Sequence, residues 1–217
     1  DRNLLYVDEV NLLDDQIVDA ILDAAAQGAY TVRRGAMSGT YRSRFVLIGS
    51  MNPEEGRLRP QILDRFGLRV YVRGLESPQE RLEVYHRVRA YRSNPTAFIR
   101  QWERDTSETR EEIILARELL KETTITEEAL DIGLQIVQEL DIDSHRAEFT
   151  LFEAARAHAA ADGRNLADLR DIRMVAPIAL RQRRSDFMTA YFDDQRAEDD
   201  QIRERIEHFI SAADQGH

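Results

Sequence analysis

Residues 4–9 have the sequence Leu-Leu-Tyr-Val-Asp-Glu, a short apolar run that ends in two adjacent acids. A continuous apolar run of this length is typical of a strand buried in a parallel sheet. A second run of the same character, Phe-Val-Leu-Ile at 45–48, is closed by Gly49. Strands that alternate with helical patterns indicate a parallel α/β layer, so we expect the fold of this region to be α/β.

The segment that joins these strands predicts a helix and a hairpin. Asp14 or Asp15 can cap a helix whose apolar residues share one face, and Gly28 can end it. Residues 30–41 form two short strand-like patterns around a glycine, as in a hairpin. Residues 68–72 predict a third buried strand. We therefore expect three strands in the parallel layer, together with one hairpin.

The organisation changes near residue 75. Ser77-Pro78 is a typical helix opening, and no strand pattern is evident after it. We expect an α/β domain at 1–75, a long helical connection at 76–125 and an all-helical lid domain at 126–217. The predicted helices span 78–92, 96–121, 126–140, 146–162 and 166–184, with a last one near 198–211 after an acid-rich linker.

Composition excludes several classes of function. None of the 217 residues is cysteine, so disulfides, thiolate metal sites and cysteine nucleophiles are excluded. The formal net charge of −10 argues against a dedicated nucleic-acid binder, because phosphate affinity requires a basic face. The five histidines lack the spacing of a helical metal pair, which argues against a zinc site. No run approaches the ~20 apolar residues that a membrane-spanning helix requires.

The acids at the end of the first strand are candidates for chemistry. Ligands bind at the C-terminal edge of a parallel sheet, so Asp8 and Glu9 would face a site. Asp8 could hold a magnesium ion through its water shell, while Glu9 could polarise an attacking water. The second strand would bring the Asn52 amide to the same edge. The alternatives are a strand that ends in surface acids and an ordinary Asn-Pro turn.

A further candidate group lies in residues 58–67, Leu-Arg-Pro-Gln-Ile-Leu-Asp-Arg-Phe-Gly. Arg65, on a short helix beside Asp64, is the type of group that neutralises phosphoryl charge in the site of a neighbouring subunit. The alternative is an intramolecular ion pair between Asp64 and Arg65.

Together these motifs resemble those of the AAA+ ATPases, from the Walker B strand onward, over residues 4–75. Residues 6–13 and 49–67 closely resemble the ATPase (I) subunit of magnesium chelatases, and a weaker resemblance continues to about residue 185. The resemblance implies part of a P-loop NTPase (AAA+) core with a parallel sheet, followed by a helical lid.

The resemblance also implies roles for the candidates in the first domain. It matches Asp8 and Glu9 to Walker B, with Asp8 binding Mg²⁺ through water and Glu9 acting in catalysis. It matches Asn52 to sensor 1 and Arg65 to the arginine finger. The hairpin at 30–41 lies where this family carries an insertion before the sensor 1 strand.

Three further residues take roles from the same resemblance. Arg146, at the start of a predicted helix, matches the sensor 2 arginine of the lid and would contact the nucleotide. The alternative for Arg146 is an ordinary surface residue. Asp64 and Arg59 are candidates for coupling at a subunit interface.

The activity implied by the resemblance is ATP hydrolysis with Mg²⁺, coupled to insertion of magnesium into protoporphyrin IX by a separate large subunit. The implied partners are further copies of the chain in a ring, expected to be hexameric, and the D-type and large H-type chelatase subunits. Neither nucleic acid nor a membrane span is implied. The expected compartment is the cytoplasm, or the plastid stroma in a plant or alga.

The sequence departs from the family pattern at one essential feature. A complete member carries a Gly-x-x-x-x-Gly-Lys-Ser/Thr phosphate loop upstream of Walker B, whereas these residues begin at the Walker B strand. Lys121 is the only lysine and lies in a predicted helix without glycines, so it cannot serve as the phosphate-loop lysine. We expect the 217 residues to be a fragment whose upstream part also covers one side of the sheet. The alternative is a natural degenerate paralogue that docks on other subunits.

Two other functions remain open from the sequence. One is an AAA+ chaperone of the MoxR type, which remodels metal- or cofactor-dependent partners. The other is a non-catalytic scaffold such as the AAA+ domain of the chelatase D subunit. Asp8, Glu9 and Asn52 argue against the scaffold, since a scaffold needs no water-polarising acid. An apolar stripe at 202–210 favours packing on the lid, with docking on a neighbour as the alternative.

These 217 residues on their own should neither bind ATP tightly nor hydrolyse it, because the backbone cradle for the phosphates is absent from them. Isothermal titration of this polypeptide with Mg-ATP measures the affinity directly. A dissociation constant in the micromolar range would contradict this expectation.

Overall fold

The computed structural model describes residues 1–56, 58–183 and 201–203. The chain divides into two units, Asp1–Phe66 and Gly67–His217, and each is described by itself. The predicted acid-rich linker and most of the last helix with its apolar stripe lie outside the described residues.

The described residues of the first unit form four strands and two α-helices. In chain order they are β1 (Asn3–Val7), α1 (Asp15–Gln27), β2 (Ala29–Arg34), β3 (Met37–Arg42), β4 (Phe45–Gly49) and α2 (Pro60–Arg65).

Strands β1 and β4 form a parallel pair, in register from Asn3–Phe45 to Val7–Gly49. Both predicted apolar strands are thus present, but the prediction that they are buried is wrong, since four of the five residues of β1 and three of the five residues of β4 are exposed. Alternate residues face opposite sides of a sheet, and the side that carries Leu4 and Val46 remains exposed, at 59% and 64%. Val7 and Leu47 lie on the opposite side and pack against the core of this unit.

Helix α1 begins and ends at the predicted residues. The Asp14 carboxylate caps it by accepting the N–H of Gln16 at 2.8 Å, and Gly28 ends it in the left-handed conformation, with φ 66°. The apolar side of the helix packs on α2 and on the loop after β1. The core formed there consists of Val10, Val18, Leu22, Leu58 and Ile62.

The predicted hairpin is formed by β2 and β3, which pair antiparallel. Gly35 in the turn has φ 57°, a conformation that favours glycine. Across the strands the rings of Tyr30 and Tyr41 stack with centroids 5.4 Å apart.

The prediction of a third strand over 68–72 is wrong, because these residues have no strand structure. The Arg69 N–H donates to the carbonyl of Ile178 at 2.8 Å, a helical residue of the second unit. Val72 is 93% exposed. This apolar run forms no strand, and the backbone of Arg69 bonds to a helix rather than to a neighbouring strand.

The second unit is mainly helical. In chain order it contains α3 (Pro78–Ser93), α4 (Pro95–Gln101), α5 (Glu103–Leu119), β5 (Thr124–Ile125), α6 (Glu127–Glu139), α7 (His145–Ala161), β6 (Leu166–Ala167) and α8 (Leu169–Leu180). No helix among the described residues is long and apolar enough to cross a membrane.

The single helix predicted over 96–121 is in fact two helices, α4 and α5, which meet at Trp102. The Trp102 N–H donates to the carbonyl of Ile99 at 3.1 Å, a tight turn at the helix end. The Arg87 guanidinium lies 4.7 Å from the centroid of the Trp102 ring. No glycine or proline marks this break, so local sequence patterns could not predict it.

The prediction that no strand follows residue 77 is also wrong. Strands β5 and β6 form a two-residue parallel pair, with Thr124 opposite Leu166 and Ile125 opposite Ala167. Runs of two residues are too short for a periodic pattern to indicate them.

Helices α6, α7 and α8 enclose the core of the second unit. Small residues on α7, including Ala155 and Ala159 at 0% exposure, allow the helices to approach closely. Gly133 on α6 permits such an approach to α7, because a Cβ atom there would lie 2.5 Å from the Phe152 ring.

A buried carboxylate, Asp171, ties α7 to α8. It is 0% exposed and accepts hydrogen bonds from Arg164 Nη1 at 2.9 Å and His158 Nδ1 at 2.6 Å, and from the backbone N–H of Asp168 at 2.9 Å. Burial alone would raise the pKa of Asp171, but the hydrogen bonds from Arg164 and His158 hold it well below its usual range. The carboxylate therefore stays ionised and paired.

Replacing this carboxylate should destabilise the chain strongly. Asp171→Asn leaves Arg164 without its main counter-charge and removes the ionised acceptor from a buried position, so the free energy of unfolding should fall clearly. Urea denaturation followed by far-UV circular dichroism measures the change. The matched control is Glu118→Gln, which removes an exposed ion pair to Lys121 and should leave the free energy of unfolding nearly unchanged, because solvent screens such a pair.

The same pair gives the chain an acid dependence of known sign. The pKa of Asp171 is lower in the folded state than in the unfolded state, where it is about 4. The contribution of the ionised carboxylate to the free energy of unfolding is therefore complete above about pH 4 and is lost as the pH falls below that value. Asp171→Asn should therefore lose less stability than wild type between about pH 5 and pH 2. Equal stability of the two proteins at neutral pH would contradict the assignment.

Candidate functional site

The ends of β1 and β4 bring the first group of predicted site residues to one edge. The register places Val7 opposite Gly49, so the residues that follow each strand emerge side by side. The Ser50 N–H donates to the Val7 carbonyl at 3.0 Å, and the Val10 N–H donates to the Ser50 carbonyl at 2.9 Å. This backbone pairing places Asp8 and Glu9 next to the segment that leads to Asn52.

Asp8 is exposed at this edge and accepts hydrogen bonds from two neighbouring side chains. Its Oδ1 atom accepts from the Tyr6 hydroxyl at 2.9 Å and from the Ser50 hydroxyl. These bonds, chiefly the one from Ser50 and then the one from Tyr6, lower the pKa of Asp8. An exposed, ionised carboxylate is an oxygen donor of the type that holds Mg²⁺ through its water shell.

Glu9 occupies an unusual backbone conformation. Its φ and ψ are 49° and 51°, in the left-handed region that few residues other than glycine adopt. Its N–H donates to Ser50 Oγ at 3.0 Å. The next residue, Val10, begins a short 3-10 turn and is 4% exposed. The side chain of Glu9 is thus carried on a fixed turn between a strand and a core residue.

Asn52 lies in the turn that follows β4. Its Oδ1 accepts the N–H of Glu54 at 3.2 Å, as in an Asx turn, and its backbone carbonyl accepts from Asn11 Nδ2 at 3.4 Å. The turn predicted as the alternative is therefore present. Asn52 nevertheless lies at the sheet edge, which is the position that the sensor 1 hypothesis requires.

Sequence reasoning missed Asn11 and Ser50, which link the two loops. Asn11 lies on the turn after Glu9, and its Oδ1 is buried without a hydrogen-bond partner among the described residues. The signal for Ser50 was present in the sequence, because it directly follows the second strand. Its contact with Asp8 and Glu9 could be inferred only from the strand register.

The second candidate group is on α2 and forms ion pairs with α1. Arg65 Nη1 lies 2.6 Å from Asp23 and 3.6 Å from Asp19. Arg59 Nε lies 2.8 Å from Asp15, and its Nη2 lies 3.3 Å from Asp19.

These acids are spaced four residues apart on α1, so they form one stripe along the helix. Arg65 therefore pairs with carboxylates of α1, those of Asp19 and Asp23. All of these groups are 31–54% exposed. Exposed pairs of this kind contribute only about 0–1 kcal/mol each, so Arg65 can exchange them for a more strongly charged ligand.

Arg146 belongs to the second unit. It is the second residue of α7 and is exposed, whereas its neighbour Ala147 is buried in the core. Arg146 therefore lies at the start of a helix, as the sequence predicts.

Comparisons with known proteins bear on the identity of this arrangement. A family model described as the AAA lid domain matches residues 132–205. A magnesium-chelatase subunit ChlI homologue from Methanocaldococcus jannaschii is 46% identical over 188 residues, which are 86% of this chain and 52% of the relative. The magnesium-chelatase 38 kDa subunit of Acidiphilium rubrum is 43% identical over 182 residues, 84% of this chain and 53% of the relative.

This chain is a homologue of the magnesium-chelatase I subunits. The resemblance drawn from residues 6–13 and 49–67 is confirmed. The chain spans about half the length of the curated relatives that it matches.

A solved structure supports the fold. A protein from Cytophaga hutchinsonii, described as a candidate ATPase, aligns with a TM-score of 0.58 at 24% identity and covers 83% of this chain and 58% of its own. Together with the match to the AAA lid domain, this likeness confirms the predicted fold class, part of an AAA+ core with a parallel sheet followed by a lid.

Proposed function

We propose that these residues are the Walker B, sensor and lid portion of an ATPase subunit of the magnesium-chelatase type. The observation that carries the proposal is the register of β1 and β4, which brings Asp8, Glu9 and the segment leading to Asn52 to one sheet edge. The curated relatives named as magnesium-chelatase subunits support this type over a MoxR-like chaperone.

The first group of residues would act on the attacking water. Asp8 would hold Mg²⁺ through coordinated water, which suits an exposed carboxylate whose pKa is lowered by hydrogen bonds from Ser50 and Tyr6. The metal, bound with ATP, would neutralise phosphate charge. Glu9 would polarise the water for attack, and the Asn52 amide would orient it.

Arginines would stabilise the charge that develops on the phosphates. Arg65 would exchange Asp19 and Asp23 for the γ-phosphate bound by the next subunit, and Arg146 would contact the nucleotide as sensor 2. Arg59 and Asp64 would couple the α2 segment to that interface. A phosphate loop of the kind that complete members of the family carry would bind the triphosphate.

The proposal extends to partners. Copies of the chain would form a ring, expected to be hexameric, that works with a D-type subunit and with a large H-type subunit. ATP hydrolysis in the ring would drive insertion of magnesium into protoporphyrin IX by the large subunit. The complex would act in the cytoplasm, or in the stroma where the source cell has plastids.

Mixing two inactive variants of the complete protein tests the role of Arg65 across an interface. Arg65→Ala should keep nucleotide affinity within a few-fold but lower turnover by ~10³ or more, because the guanidinium acts mainly on charge that develops in the transfer step. Glu9→Gln should also bind nucleotide without hydrolysing it. Mixed rings would contain some intact sites beside intact arginines, so part of the activity should return.

The control is each variant assembled alone at the same total concentration. Differential tagging and pull-down verify that the two variants assemble into mixed rings. If mixed rings form and no hydrolysis returns, Arg65 does not act in a neighbouring site. Its role would then be the ion pairs with Asp19 and Asp23. If the unaltered protein hydrolyses no ATP, the proposed function itself is wrong.

A further inference from the structure

Ser50 makes four hydrogen bonds with the segment that carries the two acids. Its backbone N–H donates to the Val7 carbonyl and its carbonyl accepts from the Val10 N–H, which any residue other than proline could do at this position. Its hydroxyl makes two more bonds, accepting the N–H of Glu9 at 3.0 Å and donating to Asp8 Oδ1. A hydroxyl can accept from one group and donate to the other through a single oxygen atom, whereas alanine can do neither.

The bond to Glu9 supports a backbone conformation that is otherwise unfavourable. A residue other than glycine in the left-handed region persists only where its surroundings hold it, and Glu9 has φ 49°. The Ser50 hydroxyl supplies an acceptor for the Glu9 N–H just where the strand ladder has ended, since β1 ends at Val7. The direction of the Glu9 side chain depends on this conformation.

The bond to Asp8 fixes the neighbouring carboxylate. Tyr6 and Ser50 both donate to Oδ1, so two donors hold this carboxylate oxygen in place. One side chain, Ser50, thus touches both acids that the proposed function uses and connects them to the end of β4.

We infer that Ser50 is a positioning residue that sets the relative geometry of Asp8 and Glu9. The inference rests on the proposed function for its effect on turnover, and on the hydrogen bonds alone for its effect on structure. Without the hydroxyl, both acids remain present but lose their shared support. Turnover should then fall more than nucleotide affinity, and more Mg²⁺ should be needed for half-maximal activity.

The test uses three variants of the complete protein. Ser50→Ala removes the hydroxyl, Ser50→Thr retains it, and Ser38→Ala removes an exposed serine on β3 as the matched control. Three quantities are measured: ATP turnover against nucleotide concentration, ATP turnover against Mg²⁺ concentration, and hydrogen exchange of the Glu9 amide. Far-UV circular dichroism verifies that each variant is folded.

Ser50→Ala should lower kcat by roughly ten-fold or more with KM for ATP within about three-fold. It should also raise the Mg²⁺ concentration for half-maximal activity and accelerate exchange of the Glu9 amide. Ser50→Thr should restore most of each property, and Ser38→Ala should match wild type.

The inference would be overturned if Ser50→Ala had the same turnover, the same Mg²⁺ dependence and the same rate of Glu9 amide exchange as wild type. It would also be overturned by a Ser50→Thr variant that folds and is as impaired as Ser50→Ala. If wild type hydrolyses no ATP, the proposed function fails, and the exchange rate of the Glu9 amide alone decides whether Ser50 holds this turn. If Ser50→Ala does not fold, a folded and active Ser50→Thr supports the hydroxyl, and an inactive one refutes it.

Discussion

The parallel pairing of β1 with β4 is the interaction on which the candidate site depends. The two strands are 37 residues apart in sequence, yet their register makes Val7 and Gly49 neighbours. Because side chains alternate across a sheet, a shift of one residue would turn Leu47 away from the core. The same shift would separate Ser50 from Asp8 and Glu9. The packing of Val7 and Leu47 against the core therefore also fixes the positions of the polar residues that follow.

Patterns within a single element predicted most of the fold. The two apolar strands, the Asp14 cap and Gly28 end of α1, and the hairpin each have a local signal, and the structure contains them all. The failures required knowledge of distant partners. The third predicted strand bonds to Ile178, which lies more than 100 residues away, and the helix break at Trp102 has neither glycine nor proline to announce it.

The sequence predicts which residues of the candidate site share a sheet edge, but not all of their contacts. Asp8, Glu9 and Asn52 could be placed at one edge because parallel strands end on the same side of a sheet. The contacts of the Ser50 hydroxyl could not be predicted, since they depend on the strand register. The ion pairs of Arg65 could not be predicted either, since they depend on how α2 packs against α1. The roles of these residues in ATP hydrolysis remain predictions of the proposed function.

Cross-linking tests the register of β1 and β4 most directly, and the absence of native cysteine makes the result unambiguous. Leu4 and Val46 are paired across the strands and exposed, so cysteines at both positions should form a disulfide on mild oxidation, since neighbouring strands lie within disulfide distance. Cysteines at Leu4 and Ile48, two residues out of register, should not. Efficient cross-linking of the second pair and not the first would contradict the register and, with it, the shared edge of Asp8, Glu9 and Ser50.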